Sequence, residues 1–308
     1  QLFYASWFAG QSAESHLRRI QHRTRILLVD QEGGRMGEEA FKRTMCDHRR
    51  AKFATAKNAT RVIAWGRAQA QWLKELGCVE PERIVVTGCP RLDPYRLPRP
   101  ARARRAFLGV TLRTDRLTSQ PHRTVEAIYD SLFKDPGEGL TPGLPLRAQY
   151  EDWLWQTAAV VRHMLLIAAE VSQRTTAPIV LRPGPWEQPG VYDFLRRRLP
   201  QLAIEPMMLQ HEYVREAFAT LDGSSALGLE AILAGTAVIS VNALVPRLDA
   251  HVGGPDGTRL NAPYRRFYWH PETVEEAVDQ VLRAERGELP LTPSSDGLEA
   301  YLRDHLDW

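Results

Sequence analysis

A chain of 308 residues with 44% apolar and 25% charged side chains has the makeup of an ordinary folded protein, and its length leans toward two domains. The formal charge of +3, left by 40 basic and 37 acidic residues, offers no electrostatic footprint for nucleic acid. Cys46, Cys78 and Cys89 show no C-x-x-C spacing, which leaves a disulfide framework or zinc knuckle without support and points to a reducing cytoplasm.

From the N-terminus, β-branched runs predict strands at residues 25–29, 61–65 and 83–87, with a helix over 67–76. Such runs alternating with helical stretches are the pattern of parallel α/β layers. The first run ends in LLVDQEGGRM, residues 27–36, where an apolar strand closes on Asp30, Glu32, Gly33 and Gly34. Glycine allows close approaches that a side chain would block. Glu32 can then reach a substrate hydroxyl as general base, with Asp30 as second carboxylate, orienter or nucleophile. A strand-to-turn transition with solvated acids accounts for the same string.

Residues 90–105, PRLDPYRLPRPARARR, combine prolines with clustered arginines and deny both helix and central strand. The domain boundary is placed here, giving an N-terminal lobe of residues 1–98 and a C-terminal lobe of residues 99–308. Beyond it the pattern predicts a strand at 106–112, a polar stretch to Pro145 and a long amphipathic helix over 150–173. Strands follow at 178–183, 202–205, 217–222 and 236–241. After a glycine-rich loop comes a closing helix over 271–286, whose Val274, Ala277, Val278, Val281 and Leu282 keep a spacing of three and four. The expected fold is α/β, two Rossmann-like lobes with a central cleft, with ligands beyond the carboxyl ends of the strands.

The strand ends are therefore the places to look for chemistry. In DGSSALGLEAILAGTAVISV, residues 222–241, a strand ends at Leu221 or Asp222, Ser224 or Ser225 caps a helix, and Gly235 stops it. Hydroxyls and free N–H groups at such a start suit a nucleotide phosphate. Glu230, about one turn further in, can accept hydrogen bonds from a ribose diol, or can simply lie in solvent. In IVLRPGPWE, residues 179–187, prolines end the ladder, and Arg182 can pair with a phosphate or sit in a surface turn.

Other strings carry less. Neither CDH at 46–48 nor HEYVRE at 211–216 has metal-site spacing, and no P-loop or G-x-S-x-G elbow occurs. Trp153, Trp155 and the cluster YRRFYW at 264–269 can stack on a sugar or base, or fill a core. Arginine carries nearly all the positive charge; it suits phosphate capture, and a genome-wide codon bias accounts for the same excess. There is no run of about 18 apolar residues and no signal peptide, so no membrane span is expected. With Gln1 in place of methionine, the expectation is a fragment or a processed product.

Together, VDQEGG (29–34), VIAWGRAQAQWL (62–73), RIVVTGCPRLDPY (83–95), IVLRPGP (179–185) and GSSALGLEAILAGTAVIS (223–240) resemble the bacterial surface carbohydrate biosynthesis proteins. That family has a GT-B-like fold and is distantly similar to CMP-Kdo and sialic acid transferases and to capsule polysaccharide enzymes. The resemblance runs from about residue 20 to 245, and its tryptophan-glycine and threonine-glycine-x-proline-arginine strings are the more specific parts. It implies transfer of a sugar from a CMP-linked donor to a glycan or lipid-linked glycan acceptor, with no metal or cofactor. Glu32 or Asp30 is then the catalytic carboxylate, and Arg182, Pro183, Pro185, Ser224 and Ser225 hold the donor. The family's location would be cytoplasmic, with peripheral association at the inner membrane face.

The chain departs from that pattern at Gln31, where another acid is usual, and at Gly184, where a histidine is expected. The family also opens with a further strand-helix-strand unit, so a truncated N-terminal lobe is expected. Two alternatives stay open. One is a catalytically silent nucleotide-sugar-binding or scaffold protein, which would bind cytidine nucleotides without turnover. The other is a two-lobed nucleotide-sugar epimerase, which would prefer UDP-sugars and need no acceptor.

Overall fold

The computed structural model describes residues 2–6, 19–20, 22–29, 37–39, 41–42, 59–77, 79–97, 106–111, 146–183, 192–197, 199–223, 227–245 and 263–308. The chain divides into two compact units. The first comprises Gln1–Arg96, Gly257–Tyr264 and Ser295–Trp308; the second comprises Leu97–Asp256 and Arg265–Ser294. The sequence boundary at residue 98 falls two residues beyond Arg96. The last segment, expected with the C-terminal lobe, instead counts with the first unit.

The first unit holds a parallel sheet in the order β1 (Leu2–Ser6), β2 (Arg25–Val29), β3 (Arg61–Ala64), β4 (Ile84–Val86). β1 is absent from the sequence reading. It pairs with β2 along its whole length, Leu2 opposite Arg25 and Ser6 opposite Val29. Helix α1 (Arg67–Glu75) follows β3, and its Gln69 side chain accepts a hydrogen bond from the Trp65 N–H at 2.6 Å, satisfying a donor ahead of the first turn. Ile26, Leu28, Val62, Ala64, Trp72 and Leu73 form the core of this unit.

A further helix, Leu298–Leu306, also belongs to the first unit and packs on α1. Residues 271–286 therefore do not end the helical part of the chain. A Cβ on Gly66 would lie 2.3 Å from the backbone carbon of His305 and 2.4 Å from the Asp304 carbonyl oxygen. Backbone meets backbone there, which only glycine permits. Arg96 fixes the end of the segment by donating to the Asp307 carbonyl at 2.5 Å and lying over the Trp308 ring.

The second unit is a parallel sheet in the order β7 (Leu202–Ile204), β6 (Ile179–Leu181), β5 (Phe107–Thr111), β8 (Ala217–Asp222), β9 (Ala237–Ser240). Counted from β5, the order is 3-2-1-4-5, the doubly wound arrangement, whose winding reverses between β5 and β8. Every residue of β8 is buried, as expected for a parallel strand covered on both faces. The connecting helices are α2 (Leu146–Arg174), α3 (Gln210–Glu216), α4 (Leu227–Leu233) and α5 (Val274–Glu285).

On one face, Val160, Met164, Ile167 and Val171 of α2 and Val278 and Val281 of α5 pack on Leu108, Val110, Leu181, Leu221 and Ile239. Helices α3 and α4 pack on each other and on β8. Gly235, in the left-handed region at φ 71, ends α4; its N–H reaches Ile232 and that of Thr236 reaches Ala231, a Schellman stop. Phe267 and Tyr268 of this unit are buried, and so is Tyr264, which counts with the first unit, so much of the YRRFYW cluster is interior. Trp269 adds a backbone bridge beside Ile239, covering the outer edge of β9. The side chains of Trp153 and Trp155 lie outside the described residues, as does CDH at 46–48.

Candidate functional site

The carboxyl edge of the second sheet changes character within one residue. The rung Ile204, Leu181, Val110, Leu221, Ile239 runs across all strands in register and is wholly apolar and buried. The next rung is Glu205, Arg182, Thr111, Asp222, Ser240, and every member is polar. Side chains alternate along a strand, so this second row stands on the opposite face from the α2 and α5 core. Its centre, Thr111 opposite Asp222, lies at the switch of winding, where open α/β sheets take their ligands.

Two tethers gather the site around the loop between β7 and α3. Arg182 donates through Nε to the Met208 carbonyl at 3.0 Å. Two residues on, Gln210 donates through Nε2 to Glu230 Oε2 at 2.6 Å. One short segment thus holds a guanidinium from the end of β6 and a carboxylate from α4. Met207 and Leu209 are exposed in the same loop and give it an apolar tip.

Glu230 is only 3% exposed, which rules out the solvated reading of this residue. A buried carboxylate is costly unless it is hydrogen-bonded, and Gln210 supplies such a bond. At the far end of the rung, buried Arg265 donates to the Ser240 hydroxyl at 2.7 Å. Below the rung, Tyr213 of α3 is fully buried and donates to the Val180 carbonyl at 3.1 Å. Burial pushes its phenol well above the ordinary tyrosine value, against smaller opposing effects of the Thr111 hydroxyl, the Arg182 cation and the Val110 backbone.

Of the residues singled out from sequence, Arg182, Pro183 and Glu230 fall in the described part, and Arg182 and Glu230 are brought to one loop. Asp30, Glu32, Gly33, Gly34, Gly184, Pro185, Ser224 and Ser225 lie outside the described residues. The sequence reading missed Thr111, Met208, Gln210, Ser240 and Arg265. The polar rung had a visible signal, since each apolar run is followed by a polar residue at its carboxyl end. Gln210 had none, because its role depends on how a loop folds. Among the described residues no helix is long and apolar enough to cross a membrane, and no cluster of three or more His, Cys, Asp or Glu could hold a metal ion.

No family model and no curated protein matches the chain. Among solved structures it is similar to the wall teichoic acid polymerase TagF, as its H548A variant, with 8% identity, a TM-score of 0.47, and coverage of 100% of this chain and 84% of that one. It is also similar to UDP-GlcNAc 2-epimerase from Methanocaldococcus jannaschii, at 12% identity and a TM-score of 0.46, covering 78% of this chain. The match spans 60% of that epimerase's length. S. aureus MnaA, solved with UDP, gives 13% identity and a TM-score of 0.44 over 99% of this chain and 70% of its own. These likenesses are remote.

Proposed function

We propose that the chain is a glycosyltransferase of bacterial surface polysaccharide assembly, taking a nucleotide sugar, CMP-linked, at the carboxyl edge of the second sheet. The observation behind this reading is the tethering of Arg182 and buried Glu230 to one loop beside an all-polar rung. The two side chains offer complementary chemistry: a guanidinium for phosphate and a carboxylate for the paired hydroxyls of a ribose. Arg182 uses one of its donors on Met208 and keeps its terminal N–H groups for an anion.

Ser224 and Ser225, directly after Gly223, add hydroxyls on the phosphate side, and Pro183 and Pro185 stop the backbone beyond β6. The acceptor is a glycan or lipid-linked glycan taken by the first unit, and Glu32 or Asp30 is its catalytic carboxylate. The acceptor hydroxyl gives its proton to that carboxylate, its oxygen bonds to the anomeric carbon, the bond from that carbon to the phosphate oxygen breaks, and CMP leaves with the bonding pair. No metal or other cofactor takes part in this reading. A cytoplasmic place, peripheral to the inner membrane face, suits such an acceptor.

Gly184 favours a second reading, a catalytically silent binder of the same nucleotide sugars, because glycine supplies no side-chain donor to a leaving phosphate. Thermal stabilisation by CMP, CDP, UDP and ADP tests the common part, since a ligand that binds only the folded chain raises the midpoint by mass action. A shift with CMP or CDP and not with ADP is expected. No shift with any of them would overturn both readings. A shift with UDP alone would replace the cytidine donor. Glu32→Gln then separates enzyme from silent binder, because it should keep nucleotide binding and lose transfer.

A further inference from the structure

We infer that Thr111 is a ligand-binding residue whose hydroxyl, together with the Arg182 guanidinium on the next strand, takes one phosphate group at the switch of winding; this rests on the nucleotide reading above. Thr111 ends β5, the central strand, and Arg182 follows β6, in the rung just beyond the Val110 and Leu181 pair. Neighbouring strands stand about 4.8 Å apart, a separation that lets two donors grip two oxygens of a single phosphate. Asp222 lies opposite Thr111 on the other side, so an anion is confined to the Arg182 side.

The Thr111 hydroxyl oxygen is buried and has no hydrogen-bond partner among the described residues. Buried hydroxyls are normally bonded, so one left over at a ligand edge calls for a partner from outside the fold. Tyr213 does not serve as that partner, because its phenol proton goes to the Val180 carbonyl at 3.1 Å and the two hydroxyls do not meet hydrogen-bond geometry. The Thr111 hydroxyl and the Arg182 cation both oppose the rise of that phenol's pKa, which places the two groups near one another above Tyr213. Thr220, on the same face of β8 and one step deeper, supplies the contrast. Its hydroxyl is also without a partner among the described residues, at 2% exposure. The Tyr213 hydroxyl and the Thr220 methyl both crowd the place where Gly109 would carry a Cβ, at 2.9 and 3.0 Å, so Tyr213 covers this deeper row. A ligand at the edge reaches Thr111 and does not reach Thr220.

Calorimetric titration with CMP and cytidine, and with UMP and uridine, tests this on the full chain. In Thr111→Val, which keeps the shape of the side chain and loses the hydroxyl, the monophosphate should bind about ten-fold more weakly while the nucleoside stays within about two-fold of the unaltered protein. Thr111→Ser should restore most of the monophosphate affinity. Should Thr111→Val not fold, Thr111→Ala reads the same difference. Without nucleotide, Thr111→Val should also raise the melting midpoint by about 2–4 °C, because it removes an unbonded buried hydroxyl. Thr220→Val should raise it in the same way and leave all affinities unchanged. Monophosphate binding unaltered in Thr111→Val, or a lowered midpoint, would overturn the inference and leave the nucleotide reading in place. An equal loss of monophosphate and nucleoside would do the same, since the hydroxyl would not then meet the phosphate. An unaltered protein that binds none of the four would overturn both.

Discussion

A methyl group on Gly109 would lie 2.9 Å from the hydroxyl oxygen of Tyr213. Gly109 sits in the central strand β5 because the tyrosine ring crosses the sheet there to reach the Val180 carbonyl on β6. Gly109→Ala should therefore destabilise the second unit by about 1–3 kcal/mol, the range for overpacking a filled core. Urea unfolding of both proteins checks this. A loss of stability no greater than that of Gly287→Ala, where a Cβ would meet nothing within 4 Å but the backbone has φ +76, would show that the site yields freely.

The same tyrosine gives an alkaline signature. Its folded pKa is raised by burial above the ordinary value of 10.0. Below that value both states hold the proton and the contribution is complete. Above it the unfolded chain loses the proton while the folded chain keeps it, so stability falls with rising pH by up to about 1.4 kcal/mol per unit. Tyr213→Phe removes this one slope. Stability of parent and variant should accordingly converge between pH 10 and 11, and parallel curves would contradict the assignment.

At Gly228, in the helix that carries Glu230, a Cβ would sit 1.8 Å from the Tyr268 hydroxyl and 2.4 Å from its ring carbon. Gly228→Ala cannot be housed unless buried Tyr268 moves, and a cost of about 3 kcal/mol is expected. Adding Tyr268→Phe removes the nearer atom only. The double variant should recover part of the loss and not all of it, as read by thermal melting. Full recovery would place the conflict on the hydroxyl alone.

Gly66→Ala would push a methyl into the backbone of Asp304 and His305. The expected result is release of the helix Leu298–Leu306 from the first unit. Limited trypsin digestion reads this at Arg303, which should be cut faster than in the parent. Unchanged digestion would mean that the segment tolerates the extra carbon.

A smaller effect is expected at the start of α5, where Thr273 accepts from the Glu276 N–H at 3.1 Å and Glu276 accepts from the Glu272 N–H at 2.8 Å. The first is an N-cap bond, and the second ties the Glu276 carboxylate to the N–H one residue before the cap. Thr273→Ala should cost about 1 kcal/mol. Thr273→Ser should cost much less, and denaturant midpoints of the two variants separate the cap from a packing effect.

Much of the architecture was legible because its signals are local. The runs RVIA, IVL, AFATLD and AVIS are short and mostly apolar, and each predicts the strand that forms there. Gly235 was read as a helix stop, and its positive φ bears that out. The spacing of Val274, Ala277, Val278 and Val281 predicted a buried helix face, and all but Val274 are fully buried in it. LFYAS at β1 has no such signal, since five residues with no turn before them carry little pattern. The last helix, LEAYLRDHL, was missed for a related reason: only Tyr301 and Leu306 are buried, too sparse a stripe to stand out.

The sequence by itself determined where β2 to β9 run and, within a residue or two, where they stop, because a change from apolar to polar residues is written along the chain. Only the tertiary structure decided that the strand ends of the second unit stand in the order 3-2-1-4-5, so that Glu205, Arg182, Thr111, Asp222 and Ser240 form one row. It alone buried Glu230, joined it to Gln210, and returned residues 295–308 to the first unit. Those outcomes depend on contacts between positions far apart in the chain. Such contacts are chosen by which faces remain to be covered once the local elements have formed, and no stretch of neighbouring residues records that choice.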